Sequence, residues 1–509
     1  MANHEPKHPN SVLLPFMAPG HIIPMIDMAK LLAKRGVDVT IIVTHLDAAR
    51  FSSVIHRAVE SGLSIRLLKI RFPCEEAGLP PGCESIELLP SYNLVPNFFA
   101  ATNMLQKPLE KMLIEIAPTP SCIICDKHLS WTAETCNKFQ IPRIIFDGMS
   151  CFTQLVTHNI YLSKIHQTVP PNEPFVVPGL PDRIEFTRLQ LPGLFNPGPT
   201  DLIDVREQVM KTELQAYGVV INSFEEVENR YVDEFRKLKN GRVWCVGPLS
   251  RYSSGDLGIR GGIQASIDYD QCLKWLDERE RGSVVYACLG SLGRLSPPQF
   301  MELALGLEAS HHPFILVMQG GERLVEVERW ISDEGIEERC RERGLFVRGW
   351  APQVLILSHP GVGAFLTHCG WNSTLEGISA GLPMITWPIF ADQFLNEKLV
   401  VQVLETGVRV GARGIVYLGE EEKPEINVTR DEVKEAVRRV MDEREDGCER
   451  KERARKLGEM AKRSVEEGGS EALAQRGPVS RYMARVASTN GATFRLPLLA
   501  GRLRQRRVL

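Results

Sequence analysis

Along the first half of the chain, short apolar runs alternate with stretches whose apolar residues recur every three to four positions. Ser11–Phe16, Val37–Thr44 and the runs SIRLLKI, SCIIC and RIIF are nearly continuous in apolar character. Such runs predict strands buried on both faces. Between the first two, Ile22–Lys34 carries helical spacing, and Gly36 supplies its stop. The second half repeats the style with Ser283–Ser291, Phe314–Gln319, Gly344–Trp350, Val362–His368 and Pro383–Pro388. This β-α-β alternation predicts parallel sheets covered by helices. Between the halves, LSRYSSGDLGIRGGIQAS (249–266) has the Gly and Ser content of a flexible linker. The expected architecture is α/β, with two Rossmann-like domains facing across a cleft. Residues 1–248 form the first domain and 267–470 the second. Residues 471–509 form a terminal helix or basic tail. The cleft is the expected ligand site.

Composition narrows the class. The 509 residues carry a net charge of −3 and a sequence pI of about 6.5, so no global footprint for nucleic acid exists. No apolar run reaches the roughly 18 residues of a membrane span. The N-terminal MANHEPKHPNS is too polar for an export signal. The twelve scattered cysteines then read as reduced thiols of a cytoplasmic protein. Cys122 and Cys125 lie three apart on a predicted strand, point to opposite faces and share neither metal nor disulfide. The tail is unusual: beyond Glu471 it holds eight arginines and no acidic residue. Its expected state is a solvated end, and Gly477-Pro478 would break any helix there.

The chemistry concentrates in WAPQVLILSHPGVGAFLTHCGWNSTLEGISAGLPMITWPIFADQ (350–393). A buried strand ends in His368-Cys-Gly-Trp-Asn-Ser, and a helix is expected from about Thr374, with Asn372 and Ser373 as capping residues and Glu376 completing a capping box. A helix N-terminus behind a strand and fronted by Gly370 is an anion site. His368 adds a donor, Trp350 a flat face, and Asp392 and Gln393 hydrogen bonds for vicinal hydroxyls. Ser291 lies at another strand end. Phosphate, ring and polyol sites together describe a nucleotide sugar. The pattern GVGAF lacks the third glycine of a dinucleotide loop, and neither a P-loop nor a G-x-S-x-G elbow is present.

The 350–393 block resembles the 44-residue signature of plant secondary-product glycosyltransferases, the family 1 UDP-sugar-dependent enzymes. The resemblance extends over about residues 10–470. It implies a GT-B fold and no cofactor beyond the co-substrate, UDP-glucose. It implies that Trp350 stacks on uracil, that the Ala351 backbone pairs with the base, and that Gln353 and Glu376 bind ribose. Ser291, His368, Asn372 and Ser373 would hold the diphosphate, and Trp371, Asp392 and Gln393 would read the sugar. Gln at the last position goes with UDP-glucose in that family.

On the acceptor side, His21 follows the first strand at the start of a helix, where the positive helix end is expected to keep its imidazole neutral. Such a base suits removal of a proton from a hydroxyl. Asp126 ends the strand SCIIC and is expected to hold the other ring nitrogen; both positions match the family's catalytic pair. Several segments resemble group D of the family, among them PFMAPGHIIPMIDMAKLLAKRG. That resemblance implies a lipophilic hydroxylated acceptor, a triterpenoid or flavonoid first, with steroids and other phenolics as alternatives. Tyr92–Met104 and Phe152–Tyr161 are candidate pocket walls or core. His128, Asp47 and Pro19 depart from the family pattern. The expected state is a monomer without metal, nucleic-acid partner or transmembrane segment. The competing readings are another donor sugar within the family, an inactive sugar-nucleotide binder on the same fold, and an NAD-dependent oxidoreductase on two Rossmann units.

Overall fold

The computed structural model describes residues 9–198, 202–253, 258, 260–262, 269–319, 324–420, 423 and 425–466. The arginine-rich tail, and half of the expected linker, lie outside the described residues.

The first sheet is built from β1 (Asn10–Leu14), β2 (Asp38–Thr44), β3 (Ile65–Ile70), β4 (Cys122–Asp126) and β5 (Arg143–Asp147). A short antiparallel pair follows, β6 (Phe175–Val176) and β7 (Glu185–Phe186), then β8 (Gly218–Ile221) and β9 (Val243–Cys245). Seven of these strands form a parallel sheet in the order 3-2-1-4-5-8-9. The second sheet has six parallel strands: β10 (Val284–Cys288), β11 (Phe314–Met318), β12 (Gly344–Arg348), β13 (Val362–Thr367), β14 (Met384–Thr386) and β15 (Gly407–Arg409). Their order is 12-11-10-13-14-15.

Each apolar run that predicted a strand forms one, its ends shifted by at most three residues. The strands β8, β9 and β15 escaped the pattern because they have only four, three and three residues. GVGAF lies within β13, inside the sheet rather than in a phosphate loop. On β1 and β4 the side chains alternate between two cores. Val12 and Cys125 join one apolar cluster, and Leu13 and Cys122 the other, so the two cysteines do face opposite ways. The helix after β1 spans Pro19–Lys34, starting earlier than its apolar spacing suggested. Proline suits the first turn, where its missing N–H leaves no unpaired carbonyl. Gly36 ends this segment at φ 79°, a left-handed conformation that favours glycine.

Both sheets reverse their strand order at one point, between β1 and β4 and between β10 and β13. Connections leave these strand pairs in opposite directions, which opens a crevice at their carboxyl ends. His21 and Asp126 lie at the first reversal, Ser291 and His368 at the second. Bonds across the cleft hold the halves together. Thr153 Oγ1 donates to Asn396 Oδ1 at 2.9 Å, and Arg294 donates to the carbonyls of Glu87 and Leu89. The helix Glu445–Ser464 packs on Trp371–Ala380 of the second half and on Glu225–Leu238 of the first. No helix among the described residues is long and apolar enough to cross a membrane.

Candidate active site

On the acceptor side, the strand ends carry His21 and Asp126 into contact. Asp126 is fully buried, and His21 Nδ1–H donates to its Oδ2 at 2.6 Å. Burial alone would raise the Asp126 carboxyl, but the adjacent His21 and His128 outweigh it and hold the carboxyl well below its ordinary range. Burial pushes the His21 imidazole down, and the charge and hydrogen bond of Asp126 reverse this, leaving it above 6.5. That corrects the expectation from the helix end: the neighbouring full charge outweighs the partial charge of the helix terminus. His128 Nδ1–H donates to the other oxygen, Oδ1, at 2.8 Å. The three side chains bring possible ligand atoms within 4.8 Å. Their mutual bonds already use both carboxylate oxygens and both Nδ1 atoms.

A cavity of about 1080 Å³ opens beside this trio. Phe16, Phe99, Lys127 and Asp392 share its wall with the two histidines. The two candidate wall segments divide by helical face. Tyr92, Val95 and Phe99 reach the cavity, as do Thr153, Thr157 and Tyr161, whereas Phe98 and Phe152 are fully buried core. Lys127 is neutralised by Asp147 at 3.1 Å.

The donor side faces this cavity. The helix after β13 spans Trp371–Ala380, with Gly370 as its N-cap and no side-chain cap. The expected capping box is therefore absent. Asn372 and Ser373 sit inside the first turn, and no side chain covers the helix end. Asn372 instead bridges the halves: its Nδ2 donates to the Gly20 carbonyl at 2.5 Å, and its Oδ1 accepts from Asn222 at 3.2 Å. His368 lies between two glycines. A Cβ on Gly290 or Gly370 would come within 2.4 Å of its ring. Burial pushes its pKa down to about 4, so the imidazole is neutral, and its Nδ1 has no partner. A buried, unpaired ring nitrogen beside an uncapped helix start calls for a polar ligand. Cys369 and Ala391 hold left-handed backbone at φ 64° and 53° beside this site. For residues with a Cβ, such conformations cost about 1–2 kcal/mol and gather at functional sites.

Gln353, Ser373 and Glu376 form one cluster: Gln353 Nε2 donates to Ser373 Oγ at 3.0 Å and to Glu376 Oε2 at 2.8 Å. Trp350 follows β12, Ala351 packs beside it, and the Ala351 carbonyl accepts the Gln353 N–H at 2.8 Å. Asp392 lines the cavity and accepts from Asn396 at 2.7 Å; burial raises its carboxyl. Gln393 is buried, with Oε1 committed to the N–H groups of Ile389 and Phe390, which leaves its amide NH2 to donate. Trp371 opens the helix after β13. Its indole N–H donates to the Asn222 carbonyl at 2.7 Å and its ring is buried. Ser291 sits in the turn after β10, as expected.

Sequence reasoning missed Arg260. The described part of the linker is packed rather than free. Arg260 is buried and donates to Asp27 at 2.6 Å and to Glu376 at 2.5 Å. Gly261 packs against Trp350, and its carbonyl accepts from Arg50 at 3.0 Å. Composition gave no sign of this, because one arginine among glycines looks like solvated coil.

Comparison with known proteins decides between the readings. A family model described as UDP-glucoronosyl and UDP-glucosyl transferase matches residues 271–444, and one described as glycosyltransferase, N-terminal domain, matches residues 10–251. UDP-glycosyltransferase 73C6 of Arabidopsis thaliana is 48% identical over 92% of this chain and 95% of its own. The chain belongs to the UDP-glycosyltransferases. UDP-glycosyltransferase 1 of Barbarea vulgaris is likewise 48% identical, over 90% of this chain and 93% of its own. Among solved structures, Glycyrrhiza uralensis UGT73P12, complexed with glycyrrhetinic acid 3-O-monoglucuronide, superposes with a TM-score of 0.87 at 33% identity. It covers 95% of this chain and 98% of that one. Arabidopsis thaliana UGT89C1, complexed with UDP-L-rhamnose, reaches 0.70 at 28% identity, covering 95% and 100%. The fold is therefore GT-B, the protein is a glycosyltransferase, and its donor is a UDP-sugar.

Proposed function

We propose that this enzyme transfers glucose from UDP-glucose to a hydroxyl of a lipophilic small molecule, a triterpenoid or flavonoid first, with inversion at the anomeric carbon. The observation that carries the reading is the His21–Asp126 pair, with His21 in the cavity wall, next to the uncapped helix start that Asn372 ties to Gly20. Neutral His21 takes the acceptor proton on Nε2, and the acceptor oxygen attacks C1 of the sugar. The C1–oxygen bond to UDP breaks as the new bond forms, and Asp126 stabilises the imidazolium. The leaving diphosphate lies at the helix start, where the backbone N–H groups and the N–H of His368 receive its charge. Trp350 stacks on the base, Gln353 and Glu376 hold the ribose, and Asp392 with Gln393 holds the sugar.

The breadth and aromatic wall of the cavity support a large apolar acceptor. The UGT73P12 structure, with its glycyrrhetinic acid conjugate, supports the same class. Gln393 favours glucose as the sugar. The twelve cysteines form no disulfide and eleven of them are buried, which suits a reducing cytoplasm. The experiment is incubation with UDP-glucose and a panel of triterpenoids, steroids and flavonols, read by mass spectrometry. A hexose-shifted product is expected. His21→Ala should slow its formation by about 10²–10⁴-fold with UDP affinity nearly unchanged. Product formation that survives His21→Ala overturns the assigned base. Failure of the folded protein to bind UDP overturns the donor site.

A further inference from the structure

Asp126 serves two imidazoles at once. His21 occupies Oδ2, and His128 occupies Oδ1 through its Nδ1. The backbone N–H of His128 donates to the same Oδ1 at 2.9 Å. One ionised carboxylate thereby fixes both tautomers, with the proton on Nδ1 and the lone pair on Nε2. Neither Nε2 has a hydrogen-bond partner among the described residues. Both rings line the cavity edge to face, with centroids 5.2 Å apart. Phe16 packs on each of them at 5.4 Å. Burial lowers the basicity of His128, and Asp126 opposes it. Lys127, itself paired with Asp147, and positive charge on His21 act with burial, so the basicity of the ring falls below that of a free imidazole. Proton removal needs one base, and His21 supplies it. His128 is a second lone pair beside that base, in a wall that is otherwise largely aromatic.

We propose that His128 is an acceptor-positioning residue whose Nε2 receives a hydrogen bond from a second hydroxyl while His21 faces the reacting one. The preferred acceptors then carry two neighbouring hydroxyls, as in a catechol or a vicinal diol. This rests on the transferase reading above. A mono-hydroxylated analogue leaves the Nε2 of the partly exposed His128 to water and forgoes that bond, a loss that discriminates between the two acceptors.

The test is calorimetric titration of the UDP-saturated protein with 4-methylcatechol and with 4-methylphenol. The wild type should bind the catechol about 3- to 10-fold more tightly, the effect of one neutral hydrogen bond. His128→Asn retains an amide donor for Asp126 but presents nothing at Nε2. His128→Phe replaces the ring in its aromatic surroundings. Both should erase the preference while UDP affinity and the melting temperature stay near wild type. A merely structural His128 would move the melting temperature and leave the catechol-to-phenol ratio intact. Equal affinities in the wild type, a preference that survives both substitutions, or binding of neither probe overturns the proposal. If UDP itself fails to bind, the transferase reading falls and takes this inference with it.

Discussion

The proton-accepting residue is tuned by a single carboxylate. His21 is active as a base only when neutral, and Asp126 holds its pKa above 6.5 against the effect of burial. Activity of the free enzyme should therefore rise with pH through a value above 6.5, read as the acid limb of kcat/KM. Asp126→Asn removes the main charge that favours the imidazolium and leaves burial as the largest influence. The acid limb should move to lower pH while the rate falls, because the imidazolium formed during transfer is no longer stabilised. A pH–rate profile of the variant checks this; an unmoved limb would mean another group titrates. His368 behaves in the opposite way. With a pKa near 4 and no charged neighbour among its causes, it donates as a neutral ring throughout the working range.

At the scale of elements, the turns after β10 and β13 are shaped around that ring. Gly290, at φ 72°, and Gly370 leave the space His368 occupies. Gly290→Ala adds a methyl 2.4 Å from the ring carbon and forces alanine into a left-handed conformation. The imidazole must turn away. UDP affinity should weaken about tenfold or more, measured by titration, since one bond to a charged diphosphate is lost. Stability should fall by only about 1–2 kcal/mol, the cost of the backbone conformation. The uncapped start of Trp371–Ala380 belongs to the same design. Asn372 and Ser373 read in sequence as caps because their side chains suit that role. Gly370 takes the cap position instead, and Asn372 reaches Gly20 and Asn222 across the cleft.

Across the whole molecule, Arg260 joins the two halves. Its guanidinium lies between Asp27 on the first helix and Glu376 in the ribose cluster. Arg260→Ala removes the guanidinium that bridges two buried carboxylates. Such a loss costs about 3–5 kcal/mol, so the denaturation midpoint should drop clearly. The same variant frees Glu376 and should change UDP affinity; a wild-type midpoint would show that the bridge carries no stability.

Much of this was legible in the chain itself. Runs of apolar residues mark ten of the thirteen parallel strands: buried parallel strands are apolar throughout, so β1, β4, β10 and β13 announce themselves. The residues at their carboxyl ends, His21, Asp126, Ser291 and His368, could be named because a doubly wound sheet brings such ends together. Tertiary structure alone decided the rest. It set the sign of the His21 shift, since a charge contact at 2.6 Å depends on two strands 105 residues apart in sequence. It buried the Trp371 indole, brought Arg260 from a glycine-rich segment into the ribose cluster, and placed His128 on the second oxygen of Asp126. Periodicity reports which face of an element is buried; which polar atoms meet across the cleft depends on distances that no local pattern contains.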